Sequence, residues 1–499
     1  MSESMRIEDY LSLRCRALNR QPVRRRGSDY VLCWLQQTLR GRNNPVLDAA
    51  ILAGSRLRKP VLVYHGLGER YPYASDRFHT FILQASRALE ADLSVRGVRF
   101  LRYVQRAQKP HPGLLYELAS RASSIIVDDV AAFVGRSQAQ RVAEKLPIAV
   151  LAVDGLRLIP DAALGGRLLT TPGFRARSKA LRDEWLAEPT DVESEGSVYL
   201  GDLAAEHDAL PDHGNVKDVV AACDVDHSVG VVAGWSGHRA SALEHLNWAI
   251  HHVLPRYAET RNNPADTQSV SRLSPYLHFG VLSPREIALA VNDADVGTRH
   301  RWKFLDQLLT WREYYFHRAR LLADPANYQR ISQAGRDHLH RHRLDERRIT
   351  YSLRELIRGE TADRTWNAAQ KQFVLEGWMH NNLRMYWGTQ LIGWTSSPER
   401  AWTTACYLND RFSLDGRDPA TYGGIGWCFT PGRGSDAPVY GRVPQKSDVA
   451  LRRRPGVDRW LSEQAAREIP QRLSIPDNLP DDYVDRLRGK QEGQMTLPF

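Results

Sequence analysis

Cysteine is scarce and scattered, with five residues (Cys15, Cys33, Cys223, Cys406 and Cys428) in 499 and no Cys-x-x-Cys pair. That pattern argues against a disulfide framework and against a zinc site built on paired cysteines; no metal site is expected, and the usage suits a reduced, cytoplasmic setting. Long apolar runs are missing too. Nothing approaches the roughly 20 residues of a membrane span, and the N-terminal MSESMR lacks a signal peptide's apolar segment, so no membrane partner is expected. No Gly-x-Gly-x-x-Gly follows the first strand-like run, which withholds support from a Rossmann phosphate site. No internal repeat is evident. Tryptophan is nearly absent from the first half: only Trp34 and Trp185 precede residue 235, and eleven of the thirteen follow. Two modules of different construction are implied.

What is present suits a globular chain, with 42% hydrophobic and 25% charged residues and enough length for two or three cores. The net charge of +10 favours a polyanionic partner without proving one. Apolar runs at Tyr30–Leu35, Pro60–Tyr64, Val98–Val104, Ser124–Asp128 and Ile148–Val153 read as buried strands. Helical patterns at 44–57 and 76–89 lie between them, and that alternation predicts a parallel sheet covered on both faces. The carboxyl ends of such strands form a natural ligand crevice.

From Gly237 the pattern is helical, with helices expected at 238–254, 283–292, 301–320, 352–358, 365–394 and 398–408; Ser283-Pro284 supplies an N-cap and N1 pair. The expected organisation is a flexible basic tail over 1–28 ending in Arg24-Arg25-Arg26, and an α/β module over 29–165. An interdomain linker follows over 166–236, containing the acidic stretch Glu188–Asp226. A helical module spans 237–445, and a C-terminal segment over 446–499 is partly disordered, including Lys490–Phe499.

The most informative stretch is Trp378–Trp394 (WMHNNLRMYWGTQLIGW), which reads as one helix. Trp387 and Trp394 lie seven residues apart, two turns along one face. Indole is redox-active as well as apolar, so paired tryptophans beside Arg384 suggest an electron path toward something planar and anionic. An aromatic core stripe is the plainer alternative.

Three further segments keep this one company: Arg256–Asn262, Ser271–Gly280 and Phe304–Glu313. With LSPYLHFG (273–280), GWMHNNLRMYW (377–387) and YLNDRFSLDGRDPATYGGIGW (407–427) in this order, the chain resembles the photolyase/cryptochrome flavoprotein family, and class II cyclobutane pyrimidine dimer photolyases in particular. The resemblance runs from about Tyr30 to Tyr440; YVLCWLQQTLRGRNNPVLDAAI (30–51) and KPVLVYHGL (59–67) look like the class II antenna domain. It implies an α/β Rossmann-like antenna domain followed by an all-α FAD-binding domain, and an enzyme that splits pyrimidine dimers with light. Electrons would pass from photoexcited reduced FAD to a lesion flipped out of damaged DNA. The enzyme would act as a monomer, with a deazaflavin allowed as antenna chromophore. A blue-light photoreceptor that keeps FAD without repair is the alternative.

Carried over residue by residue, the resemblance implies FAD contacts from Tyr257, Ser271, Leu273, Ser274, Arg312, Asn381, Arg384 and Asp415, with Asn409 facing the flavin N5. Trp366, Trp387 and Trp394 fall at electron-transfer positions. Arg261, Asn262, Trp311, Met385, Trp427 and Arg433 fall on the lesion side. Three departures stand out. Gln307 occupies the place of the family's glutamate, GRGSDAP (432–438) replaces the class II His-Asp-Arg segment, and Val443–Ser447 departs from an aromatic stretch.

Overall fold

The structure, a computed structural model, describes residues 6–187, 191–194, 198–203, 206–211, 213–479, 483 and 487. Its N-terminal module is built on a six-stranded sheet: β1 (Cys15–Ala17), β2 (Tyr30–Trp34), β3 (Val61–Leu67), β4 (Arg99–Val104), β5 (Ala122–Asp128) and β6 (Val150–Val153), ordered β1-β6-β5-β2-β3-β4. All neighbours are parallel except β1, which pairs antiparallel with β6 (Cys15 opposite Val153). Every residue of β2 and of β5 is buried, as strands covered by helices on both faces require. The five expected strands are all present. β1 was not anticipated, because three residues are too short to show a period.

The helix Pro45–Leu57 starts where its sequence directs: Asn44 caps it by accepting from the Val46 N–H at 3.1 Å, and Pro45 occupies the first turn. The expected tail is only partly a tail. Residues Ile7–Arg14 form a helix whose buried Arg14 donates to the carbonyls of Asp154 and Arg157, each at 3.0 Å. Arg24 of the arginine run donates to the Ser120 carbonyl.

The stretch expected as a surface linker is likewise structured in large part. A helix spans Thr171–Ala187 with Phe174 and Trp185 in the main core, and another spans His213–Ala221 with Val216 and Val220 buried. The polar composition misled: a few apolar anchors spaced along these helices suffice to dock them. The expectation of disorder for Lys490–Phe499 falls outside the described residues.

The second module is helical, with two departures from the expected bounds that both matter for the site. The pattern over 365–394 is two helices, Arg364–Glu376 and Asn381–Trp394. Gly377 ends the first in the left-handed region (φ +63°), and His380 caps the second by accepting from the Asn382 N–H. Trp378 therefore lies in the break, not in a helix. The helix expected over 301–320 runs through Thr298–Asp306 and Glu313–Leu322, with a π segment over Gln307–Arg312 between them.

The modules share one core rather than touching at a hinge; the cluster containing Val31, Val63 and Phe78 also contains Tyr276, Leu308 and Tyr314. Arg40 crosses the join, donating to the carbonyls of Gly155 (2.6 Å) and Gly280 (2.8 Å). Gly280, at the end of LSPYLHFG, has φ +63°, and a Cβ there would lie 2.4 Å from the Gln37 carbonyl oxygen. Only glycine lets the two backbones approach so closely. Among the described residues no helix is long and apolar enough to cross a membrane.

Candidate active site

A cavity of about 290 Å3 opens between the helices, and it gathers most of the residues singled out for cofactor binding: Tyr257, Ser271, Leu273, Ser274, Arg312, Asn381, Arg384 and Asp415, together with Gln307. Ser271 and Ser274 flank the start of the short helix Ser274–His278, and Asn381 opens the helix that carries Arg384 and the tryptophans. Arg312 spends one guanidinium nitrogen on the Leu156 carbonyl and on Glu313 (each 3.0 Å), while its Nη2 is buried without a hydrogen-bond partner among the described residues. A buried unpaired guanidinium N–H is costly, so an anion belongs beside it. Burial raises Glu313 to about 7 in spite of Arg312 next to it.

Elsewhere in the lining Arg384 Nη2 lies 3.8 Å from Asp415 Oδ1, a loose ion pair, and Arg384 Nη1 donates to Asn409 Oδ1 at 3.1 Å. Asn409 is buried and does not line the cavity. Its amide donates to Asp410 (3.0 Å) and to Thr421 (3.1 Å), so it orients Arg384 from behind. The lining also holds residues not expected there, among them Arg272 and Trp378. Arg272, between the serines, has the uncommon φ of +50°, and its guanidinium lies 4.1 Å over the Trp378 ring. The signal was available, since a cation within SRLS adds to an anion site.

Trp366, Trp387 and Trp394 form a continuous aromatic group. Trp366 and Trp387 are stacked (centroids 6.2 Å, planes 5° apart), and Trp394 meets Trp366 edge-on at 5.4 Å. Each inner indole N–H is satisfied within the protein, Trp366 by the Trp387 carbonyl (3.0 Å) and Trp387 by Gln370 (2.8 Å). Trp387 touches Phe373 (5.9 Å), over which the Arg384 guanidinium sits at 5.6 Å, so the stack abuts the cavity wall.

The lesion-side set is divided. Gln307 lines the cavity, and its Oε1 accepts from Arg261 Nη2 at 3.0 Å, which leaves the amide N–H2 as the group to offer a ligand. Arg261 also lies 5.4 Å over Tyr257. Asn262 is exposed, and its carbonyl accepts from Asn382 at 2.6 Å; Met385 is half-buried on the same helix as Arg384. Trp311 and Trp427 line a neighbouring cleft of about 210 Å3 with Tyr314, Tyr315, Trp402 and Tyr422. Their rings meet edge-on at 5.7 Å, 70° apart, forming a corner. Arg433 lies exposed on the loop after Trp427 and lines neither space. The separation from Gln307 is small in sequence but arises because the helix carrying both, and the helix Pro419–Trp427, each present one side to each space.

A third cavity, about 240 Å3, lies at the carboxyl ends of β2, β3 and β4. Trp34, Tyr64, Tyr103 and Phe133 supply apolar walls, and Arg70, Arg141, Lys145 and Arg417 supply cations. The buried Asp128 shapes its floor by accepting from the N–H groups of Gln36 (2.6 Å) and Gln37 (2.9 Å).

Residues 31–166 match the family model described as DNA photolyase. Over nearly its whole length the chain is similar to a deoxyribodipyrimidine photo-lyase of Methanothermobacter thermautotrophicus, 29% identical with 95% of this chain and 98% of the relative covered. It is also similar to one of Arabidopsis thaliana (27%; 91% and 93%) and, over about half of each chain, to one of Potorous tridactylus (37%; 47% and 44%). In fold it is similar to a bacterial class III photolyase from Agrobacterium tumefaciens, with a TM-score of 0.63, 18% identity, and coverage of 94% of this chain and 93% of the other. It is similar as well to a Synechocystis cryptochrome, with a TM-score of 0.64, 17% identity, and coverage of 87% and 88%. Two modules in this order, with a cationic cavity beside a tryptophan stack, agree with these likenesses: the N-terminal module matches the DNA photolyase family model, and over nearly its whole length the chain is similar to deoxyribodipyrimidine photo-lyases.

Proposed function

We propose that the protein is a light-driven DNA repair enzyme of the class II type, splitting cyclobutane pyrimidine dimers. The observation that carries this reading is the juxtaposition of three parts: a cavity fitted for a flavin dinucleotide, a buried tryptophan stack against one wall, and a half-exposed tryptophan corner beside another.

The residues present fit FAD. Arg312 Nη2 lacks a partner among the described residues, and Ser271, Ser274 and Arg272 line the same cavity as donors for a pyrophosphate. Arg384 would hold the electron-rich edge of the ring, with Asp415 and Asn409 fixing its guanidinium. FAD, when bound, supplies the light-absorbing electron donor. The stack Trp387–Trp366–Trp394 offers electrons a route to the cavity wall, and its 0% exposure at the two inner rings keeps water from it.

A dimer inside a duplex is out of reach, so it must be extruded, as photolyases do, and its weak stacking makes that cheaper than for a normal pair. Trp311 and Trp427 offer two faces at 70°, a shape that suits two pyrimidines fused at an angle. Gln307 donates an N–H to a base carbonyl, while Arg261 holds its oxygen in place. The sheet cavity, apolar with a cationic rim, suits an anionic planar antenna of the deazaflavin type.

The test is an absorption spectrum of the purified protein followed by illumination with a thymine-dimer oligonucleotide. FAD released on denaturation and light-dependent loss of dimers are expected. Full photoreduction without repair would leave the photoreceptor reading, and protein that refuses FAD would sink both.

A further inference from the structure

The tryptophan corner is held by groups to which the family resemblance gives no role. Trp311 Nε1 donates to Asp306 Oδ2 at 3.2 Å, and Asp306 Oδ1 in turn accepts from Arg175 Nη2 at 3.2 Å. Arg175 comes from the helix Thr171–Ala187 and lies 5.5 Å over the Trp311 ring. Trp427 Nε1 donates to the Tyr315 hydroxyl at 2.5 Å, and the Tyr315 ring stacks on Trp311 at 6.4 Å and 29°.

Two features of the backbone serve this arrangement. Residues five apart on an α-helix point about 140° away from each other, at 100° per residue. The wider turn of the π segment Gln307–Arg312 brings Trp311 round toward Asp306. Gly423 lies under Tyr315, where a Cβ would fall 2.2 Å from the phenol ring, so the tyrosine lies flat on the helix that ends in Trp427. Trp427 is 47% exposed, yet its indole N–H is pinned. An exposed ring fixed at one end is preorganised to receive a flat partner, since less rotational freedom is lost on binding.

We infer that Asp306 and Tyr315 are positioning residues that set the angle between Trp311 and Trp427, and so the preference for a pair of pyrimidines joined at an angle over stacked bases. Asp306 fixes one wall from behind, with Arg175 keeping its carboxylate in place. Tyr315 couples the two walls, touching one with its face and the other through its hydroxyl. Burial lifts the Tyr315 hydroxyl to about 12, so it meets the indole as a neutral phenol.

This inference rests on the lesion reading of the corner, and the experiment separates the two. The dissociation constants of the FAD-loaded protein for a dimer-containing and an undamaged oligonucleotide of one sequence are measured in the dark, and their ratio is the readout. Tyr315→Phe keeps the ring and removes the hydroxyl, and should lower the ratio about 2- to 10-fold, the value of one hydrogen bond. Asp306→Leu should lower it similarly, and Asp306→Asn, which keeps an acceptor oxygen, should restore most of it. Flavin photoreduction and Tm, measured alongside, should stay near wild type in Tyr315→Phe. Trp427→Ala is the control for the corner itself. If it lowers the ratio while Tyr315→Phe and Asp306→Leu do not, the positioning role is wrong and the corner stands. If Trp427→Ala leaves the ratio unchanged, the corner is not a lesion site and the inference falls with it. Equal weakening on both oligonucleotides would also overturn it.

Discussion

The same side chain stands in opposite surroundings in two regions of the helical module. In the stack, Trp366 and Trp387 are wholly buried, parallel to within 5°, and have their N–H groups bonded to a backbone carbonyl and a glutamine. In the corner, Trp427 is 47% exposed and 70° from Trp311, both N–H groups are held by side chains, and Trp311 is backed by Arg175 and Tyr315. Residue type therefore does not assign the role. A dry stack suits electron movement because the rings lie close together and no water reorganises around them, whereas the corner suits binding because the Trp427 ring is still half solvated and has contacts to gain.

The contrast is broken most readily by truncation. Trp366→Ala should cost about 3–5 kcal/mol of stability, as removing a fully buried large ring does. Trp427→Ala should cost well under 1 kcal/mol, because half of its surface is already in water. Denaturant unfolding of the two variants checks this, and comparable losses would erase the distinction between stack and corner.

Binding reverses the order. Trp427→Ala should weaken affinity for dimer-containing DNA by about 1–3 kcal/mol, the stacking value of one base on an aromatic ring, while affinity for undamaged DNA changes little. Trp387→Phe should leave DNA affinity intact and slow flavin photoreduction with FAD still bound, seen by absorption under blue light. Unchanged photoreduction in both Trp387→Phe and Trp366→Phe would return those rings to plain core packing.

The smallest expected effect sharpens the boundary between the two regions. Gln307 gives a neutral hydrogen bond, about half as strong as a charge-assisted one. Gln307→Glu should raise repair per absorbed photon by a modest factor and leave photoreduction alone, although its carboxylate would also pair with Arg261, 3.0 Å from the present amide oxygen. A change in photoreduction would show that the lesion side and the stack are not independent.

Much of this was legible in the sequence. The alternation of apolar runs with helical patterns, and the distribution of tryptophan, placed five strands and a helical second half. The motifs named nine residues that now share one cavity, because a dinucleotide needs donors, cations and flat apolar walls in a fixed order along the chain. Local chemistry set those: turn residues, caps and side-chain type act over a few positions. What composition hid was docking. Residues over 166–187 looked like linker, yet Phe174 and Trp185 bury a helix that delivers Arg175 to the corner. Gly377 reads as a tolerable interruption of a long helix, and only the closed structure shows the left-handed turn that puts Trp378 beneath Arg272.

The sequence by itself determined the two modules, the residue types at the site, and that a planar anion and a polyanion were expected, since these follow from periodicity, charge and side-chain chemistry. Only the tertiary structure decided that Asn409 stands behind Arg384, that Trp311 turns to Asp306 through a π segment, and that Tyr315 lies on Gly423 to reach Trp427. The first and the last depend on where backbones separated by tens to hundreds of residues come to rest, and the second on a π turn that hydrophobic periodicity does not distinguish from a continuous α-helix.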